Sequence, residues 1–417
     1  MRQFLTTDQV AERLGVKPAT VYAYVSRGLL PSRRNAAGKG SLFAKADVDA
    51  LIAGRKRATP NIQTGITLIR DGGLFYRGHD ATALARTSTY EAVANLLWTG
   101  EWTGEWTGES IGESTGELDH ARFPVNPELA ALAARVGALL PSSARLADRL
   151  RVTVAAVAAA DPLRFDTSPA AVLATGRTII ATMVAALPLR SEPRADVGVV
   201  APRPGAAEVP TVGELLWPRL TGQAVSESGR RAMEAALILL ADHDIAASTL
   251  AARVAASTRA HPYAVVSAGL AALDGPLHGA ASEHVYPLLV RAAAGEDPVA
   301  VISEYLRVSG GIPGFGHPLY PSGDPRATAL FALLGEHPAH DAAIGLADAV
   351  RTRSGILPNI DLALAAFALR YDMPADAGEA IFAVARTAGW LAHALEEYAN
   401  RPARFRPTGQ YSGRPPA

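Results

Sequence analysis

Along most of this chain the apolar positions recur at the three- and four-residue spacing of helices that bury one face. Alanine-rich segments of this kind lie near residues 128–140, 150–160, 169–187, 229–241, 262–273, 280–294, 298–308, 326–334, 341–352, 361–370 and 375–398. Almost nothing among them alternates as a strand would. A dozen or more helices are too many for one simple bundle, so the pattern predicts a large, mainly α body. The stretch 190–212 is rich in Pro and Gly and predicts an exposed connection. Ahead of the helices, two short strands are expected around the tight-turn sequence Asp71-Gly72-Gly73. The segment Phe75-Tyr76-Arg77-Gly78-His79-Asp80 follows, then a helix from Tyr90 to Leu97.

The first 57 residues carry a different pattern. Thr7 can cap a helix with apolar positions Val10, Ala11 and Leu14, ended at Gly15. Pro18 suits the first turn of a second helix, Ala19 to Ser26, with Gly28 beyond its end. A basic, glycine-containing hairpin spans Ser32 to Phe43, and a third helix covers Asp47 to Ala53. This segment holds 11 Lys and Arg against 4 Asp and Glu, including all four lysines of the chain (Lys17, Lys39, Lys45 and Lys56). The net charge of the whole is zero, so the remainder is mildly acidic and a boundary falls near residue 57.

The module resembles the excisionase-like, MerR-type winged helix-turn-helix. That resemblance implies a second helix in a major groove, with Thr20, Tyr22, Tyr24 and Arg27 near bases or backbone and Arg33, Arg34 and Lys39 on phosphates. One of Tyr22 and Tyr24 is expected in the module's own core. A single unit of this size binds weakly, so useful DNA affinity implies a dimer. The alternative is a retained scaffold or dimer surface whose basic residues form a solvated face.

Composition narrows the rest. The 417 residues suggest two or three domains, and no run of 18 apolar residues predicts a membrane span. The first residues lack the apolar core of a signal peptide, and the absence of cysteine excludes disulfides, thiolate metal sites and cysteine nucleophiles. A cytoplasmic protein without a metal centre is expected. Residues 98–117 repeat Trp-Thr-Gly-Glu with glycine at every fourth position, which argues against a helix. They are expected to form an expanded, functionally neutral surface loop. The alternative is a binding loop displaying Trp98, Trp102 and Trp106.

Three segments carry candidate chemistry. In Gly275-Pro276-Leu277-His278-Gly279-Ala280-Ala281, His278 falls at or just before a helix start, where free N–H groups and the dipole disfavour an imidazolium. Gly314-Phe315-Gly316-His317-Pro318 sets His317 among glycines that permit close approach of a ligand, and Asp324-Pro325-Arg326 follows. Pro358-Asn359-Ile360-Asp361 opens an apolar run. Asp361 taken alone could equally be a helix-capping residue.

In order, spacing and flanking residues these three segments resemble the signatures of the citrate synthase family, and the resemblance covers about residues 62–413. It implies a large helical domain (58–274, with the expanded loop 98–117), a small helical domain carrying catalytic residues (275–366), and a return to the large domain with a C-terminal tail (367–417). It implies condensation of acetyl-CoA with oxaloacetate and thioester hydrolysis, with no cofactor beyond the acyl-CoA substrate. Asp361 matches the base, His278 the neutral donor to the thioester oxygen, and His317 the residue that polarises and protonates the ketone. His243, Arg326 and Arg386 match substrate-binding residues. Arg406 matches an arginine supplied by the other subunit of a homodimer. His261, His284 and His393 have no assigned role and are expected to be structural.

The chain departs from the family where cations would meet CoA phosphates. Pro318 and Pro321 stand at positions often basic, and Gly355-Ile356-Leu357 precedes the aspartate motif. Beyond residue 57 the body lacks lysine, so arginines such as Arg351 or Arg353 would have to serve. Two alternatives follow: a 2-methylcitrate synthase using propionyl-CoA, or a DNA-binding regulator whose body senses oxaloacetate or acyl-CoA without turnover.

Overall fold

A computed structural model describes residues 4–14, 16–26, 30–34, 40–56, 62–102, 122–190, 209–279, 281–309 and 311–406. The chain divides into two compact units, Met1–Gln63 and Thr64–Ala417.

In the first unit, helices Thr7–Leu14, Pro18–Ser26 and Lys45–Lys56 surround a core of Val10, Ala11, Val21, Leu30, Phe43 and Val48. Strand Ser41–Ala44 lies between Phe4–Thr6 and Arg33–Arg34, antiparallel to both. The hairpin was legible in the sequence, but the strand Phe4–Thr6 was not. It also corrects the first cap. Thr7 is itself helical, and Thr6 closes a reciprocal box: its N–H donates to Gln9 Oε1 at 2.9 Å while its Oγ1 accepts from Gln9 N–H at 3.4 Å.

Of the two tyrosines on the second helix, Tyr24 packs against the core and Tyr22 is exposed. Thr20 is half-buried on the same helix. Arg33 is exposed, its guanidinium 5.8 Å from the Phe4 ring centre, and Arg34 pairs in register with Ser41. Arg27 and Lys39 lie outside the described residues.

The second unit opens with the antiparallel meander Thr67–Arg70, Gly73–Tyr76 and His79–Asp80. Asp71 (φ 52°) and Gly72 (φ 78°) form its first turn, both left-handed as a type I′ hairpin requires. Helices follow, and the longest, Ala377–Ala399, is buried along most of its length with Trp390 enclosed. Two glycines let neighbours close onto it. A Cβ at Gly269 would lie 2.5 Å from the Trp390 ring, and one at Gly389 would lie 2.4 Å from Ala241 O. Helices Ala247–Ser257 and Pro262–Leu273 pack on each other and on Ala377–Ala399. Helices Ala281–Ala293, Pro298–Ser309, Pro338–Ser354 and Ile360–Arg370 pack chiefly among themselves.

The repeat region is corrected at its first tryptophan. The helix from Tyr90 runs on to Thr99, with Gly100 (φ 79°) as its left-handed cap. Trp98 is therefore a core residue. It stacks on Phe123 at 5.6 Å and donates from Nε1 to Ala388 O at 2.9 Å. Trp102 is half-buried against His79. Residues 103–121 and 191–208, including Trp106, lie outside the described residues. Among the described residues no helix is long and apolar enough to cross a membrane.

Buried carboxyls tie helix starts together. Glu91 Oε1 accepts from Val212 N–H at 2.6 Å, and Glu234 Oε2 accepts from Tyr90 N–H at 2.9 Å. Each serves an orphan amide at the first residue of a neighbouring helix. Burial, reinforced by Glu234, pushes Glu91 up to about 8. Burial also pushes Glu379 up to about 7, with Arg145 opposing it from 3.7 Å.

For a carboxyl raised on folding, the stability contribution is complete below its unfolded pKa and is lost as pH rises through the folded value. The melting temperature should therefore fall between about pH 5 and pH 8. Each such group adds at most about 1.4 kcal/mol per pH unit. Glu91→Gln should flatten that decline; an equally steep decline in thermal scans would remove Glu91 as a cause.

Candidate active site

His278 is carried on a turn after helix Pro262–Leu273, where its N–H donates to Gly275 O at 2.9 Å and the next amide, Gly279 N–H, donates to Leu273 O at 3.0 Å. A Cβ at Gly279 would lie 2.6 Å from the Leu273 side chain, so only glycine allows this turn to close. The imidazole is half-buried, its ring edge-on to Phe382 at 5.7 Å. Its Nε2 lies 2.7 Å from Ser248 Oγ and accepts from Ser248 N–H at 3.4 Å. Ser248 Oγ in turn accepts from Trp390 Nε1 at 3.2 Å, which orients its own proton toward His278. With Nε2 an acceptor, the proton of a neutral ring sits on Nδ1.

The neutrality expected of His278 is present, but its origin differs. The donating amide comes from the first turn of Ala247–Ser257, not from the helix that follows His278, which begins only at Ala281. Burial, then the Arg386 cation, pushes His278 down to about 4.

The two remaining signature segments are bonded to each other. Gly316 N–H donates to Leu357 O at 2.8 Å, Asn359 N–H to Gly314 O at 2.9 Å, and Asn359 Nδ2 to Gly316 O at 3.0 Å. Gly314 (φ 83°) packs against Val285 and Leu362, where a Cβ would lie 2.8 Å from Val285 Cγ2. Within this ladder, His317 Nδ1 accepts from Leu319 N–H at 3.2 Å, so a neutral His317 carries its proton on Nε2. Burial and then Arg326 hold His317 below the usual histidine range.

Asp361 enters at the second position of helix Ile360–Arg370, its amide capped by Asn359 Oδ1 at 3.0 Å. The cap is therefore Asn359, and the Asp361 carboxylate accepts no hydrogen bond among the described residues. Burial pushes Asp361 up to about 7, with Arg326 opposing and Asp324 reinforcing.

His243 is buried and sits beside His317 and Tyr320. Its Nε2 is 3.0 Å from Tyr320 Oη, and its ring is 5.0 Å from that of His317. Burial, then Arg326 and Arg386, holds it well below the usual range.

Both candidate arginines are enclosed. Arg326 forks onto Asp324 through Nε (3.0 Å) and Nη2 (2.8 Å), and Asp324 Oδ2 also accepts from Ile360 N–H at 3.0 Å. That one carboxylate joins Arg326 to the helix start bearing Asp361. Arg386 is fully buried and donates from Nε to Leu240 O at 2.7 Å. Its Nη1 and Nη2 are buried with no partner among the described residues, and Phe382 covers the guanidinium at 4.6 Å. Burial pushes it down to about 10. An enclosed cation with two idle donors is a receptor for a carboxylate, which fits such a fork bidentately.

Arg406 is exposed, and among the described residues no hydrogen bond or ion pair ties it to these groups. Sequence reasoning missed Ser248, which orients His278, and Tyr320, which holds His243. A serine in the first turn of an uncapped helix was the available signal for the first. The Tyr three residues after His317 was the signal for the second.

Residues 55–408 match the family model described as citrate synthase, C-terminal domain, and residues 4–56 match that of a helix-turn-helix domain. The chain is 30% identical to 2-methylcitrate synthase 2 of Corynebacterium glutamicum, over 82% of this chain and 88% of the relative. It is 31% identical to the citrate synthase of Haloferax volcanii, over 82% and 90%. The crystal structure of citrate synthase from Thermotoga maritima superposes with a TM-score of 0.66 at 26% identity, covering 86% of this chain and 95% of that one. With the family model spanning most of its length and its histidines, aspartate and arginines gathered as described, this chain belongs to the citrate synthase family.

Proposed function

We propose that the chain condenses acetyl-CoA with oxaloacetate and hydrolyses the resulting thioester to citrate and CoA. The observation that carries this reading is the buried Arg386 fork, with its two idle nitrogens, amid neutral imidazole donors and one unbonded carboxylate. An oxaloacetate carboxylate satisfies the fork. Arg326 and His243 meet the rest of the molecule, and Arg406 of a second subunit reaches a further carboxylate. The helices of 275–366 pack largely on one another, which supports their acting as the small domain.

In this reading Asp361 removes a methyl proton of acetyl-CoA while His278 Nδ1–H donates to the thioester oxygen, so charge never localises on the enolate. The enolate carbon bonds to the oxaloacetate ketone carbon. His317 Nε2–H polarises that ketone oxygen and protonates it as the alkoxide forms. Water then cleaves the thioester, releasing CoA. Neutral imidazoles suit both roles, because a cation beside Arg326 and Arg386 would repel the substrate-binding arginines.

A second reading, propionyl-CoA as donor, is favoured by the 2-methylcitrate synthase among the relatives. One methylene is worth only about 1–3 kcal/mol of discrimination. For CoA phosphates the lysine-free body offers Arg351 and Arg353, exposed on the last turn of Pro338–Ser354. The first unit binds DNA through the exposed side of Pro18–Ser26, with Thr20 and Tyr22, and through Arg33 and Arg34 of the hairpin.

Thiol release is a clean assay, since a protein without cysteine contributes no thiol. Release should require oxaloacetate and occur with acetyl-CoA or propionyl-CoA; folded protein that releases none with either donor overturns the proposal. Asp361→Asn should lower turnover by orders of magnitude and leave oxaloacetate binding intact. Because the base must be ionised, kcat/KM should rise with pH through about 7 and level off above it. A profile flat from pH 6 to 9 would remove Asp361 as the base.

DNA affinity should fall steeply with salt, because the basic module acts on phosphates. Deleting residues 1–63 should abolish it and spare catalysis. Salt-independent binding, or none, would refute this part of the proposal.

Asp361→Asn and Arg406→Ala should each be nearly inactive, yet co-expressed heterodimers should regain up to about half of normal activity, because a two-fold interface gives one intact site. Purified heterodimers as inactive as either parent would show that Arg406 does not act across subunits.

A further inference from the structure

One buried charge network stands outside the groups used above. Arg253, fully enclosed, donates from Nε to Glu397 Oε1 at 2.6 Å and from Nη1 to Glu396 Oε2 at 2.7 Å. The same Nη1 lies 2.5 Å from His393 Nδ1. A guanidinium can only donate, so Nδ1 accepts and the proton of neutral His393 sits on Nε2. From there it points at Asp242 Oδ2, 3.3 Å away, which also accepts from Thr67 Oγ1 at 2.5 Å. Arg253, His393 and Asp242 thus form a chain with one direction, and the cation sets it.

Each end of this chain grips a segment that matters to the site. At one end, Asp242 belongs to the turn that leaves helix Glu227–Leu240 and carries His243 as its next residue. The backbone on either side is pinned as well. Leu240 O receives Arg386 Nε at 2.7 Å, Ala241 O receives Gly389 N–H at 3.0 Å, and Asp242 O receives Tyr76 Oη at 3.0 Å. Moving Asp242 therefore moves both His243 and the carbonyl that aims Arg386.

At the other end, Glu397 pairs with Arg404 through Nε at 2.7 Å and through a second, short bond from Nη2. Arg259 donates to Glu397 O and Asn400 O, each at 2.7 Å, and Ala403 N–H donates to Ser257 O at 2.6 Å. These contacts fix the path of the chain two residues before Arg406.

We infer that Arg253 and His393 are positioning residues for the oxaloacetate end of the site: through Asp242 they set His243 and Arg386, and through Glu397 they set the strap that presents Arg406 to a second copy of this chain. The inference rests on the site reading proposed above. Neither residue touches substrate. Their effect is confined to the ends of the oxo-acid, and the His278 turn, which faces the acyl group, hangs from different contacts.

Two conservative replacements of His393 separate the halves of the relay. Glutamine reaches the place of Nε2 and can donate to Asp242; asparagine reaches only the place of Nδ1 and can accept from Arg253 alone. Full-length protein carrying each change is titrated with oxaloacetate by calorimetry and assayed for KM with both substrates. His393→Gln should keep the oxaloacetate constants within about threefold. His393→Asn should weaken oxaloacetate about tenfold or more, the range expected when a hydrogen bond to a charged group is lost, with the KM for acetyl-CoA nearly unchanged. Arg404→Gln should likewise raise the oxaloacetate KM selectively.

Asparagine and glutamine variants that behave alike, or losses shared equally between both substrates, would overturn the inference. So would a loss of kcat and melting temperature alone. Wild-type protein that neither binds nor turns over oxaloacetate would instead fail the site reading itself, before any variant is compared.

Discussion

Arg386 is the constraint around which the large unit is arranged. A guanidinium buried without a counter-charge is costly, and nothing in the described chain neutralises its outer nitrogens. The fold tolerates it by surrounding it with partial compensation: a helix-terminal carbonyl on Nε, an aromatic face over the plane, and Asp242 within electrostatic reach. The longest helix supplies Phe382, Arg386, Gly389, Trp390 and His393 from one continuous, enclosed segment. Its neighbours approach through glycines because a larger residue would push the carbonyls and the indole apart. In the function proposed above, the oxaloacetate carboxylate offsets that cost.

Tautomers are assigned by backbone amides, which cannot change sign. Ser248 N–H makes an acceptor of Nε2 in His278, and Leu319 N–H makes an acceptor of Nδ1 in His317, so the two neutral rings keep their protons on opposite nitrogens. His393 obeys the same logic with a side-chain cation in place of an amide. Three histidines with similar intrinsic chemistry thereby receive distinct roles from what each one is forced to accept.

The helical body, the hairpin at Asp71-Gly72 and the signature residues were legible because each rests on local pattern: spacing of apolar positions, a left-handed turn, a short motif. What escaped depends on contacts between distant segments. The neutrality of His278 was anticipated from the helix that follows it, whereas burial and then Arg386, far along the chain, lower its pKa. Trp98 read as part of a repeat because the repeat runs on in sequence after the helix has ended in space. Thr7 lost the cap to Thr6 because the strand pairing Phe4 with Ala44 shifts the helix start, and no local signal announces that pairing. His393 looked merely structural because its partners, Arg253 and Asp242, are more than a hundred residues away in the chain.

The ladder between Gly314–Gly316 and Leu357–Asn359 has a consequence of its own. It makes His317 and Asp361, the proposed acid and base, parts of one rigid piece, further riveted by Asp324. His278 hangs from the other side, by Ser248 and Trp390. In the proposed chemistry, an error in how these two pieces meet would leave the spacing between acid and base intact and change their distance to the thioester oxygen donor. Proposed acid and proposed base thus move as a unit relative to the enolate donor, and neither can be displaced without the other.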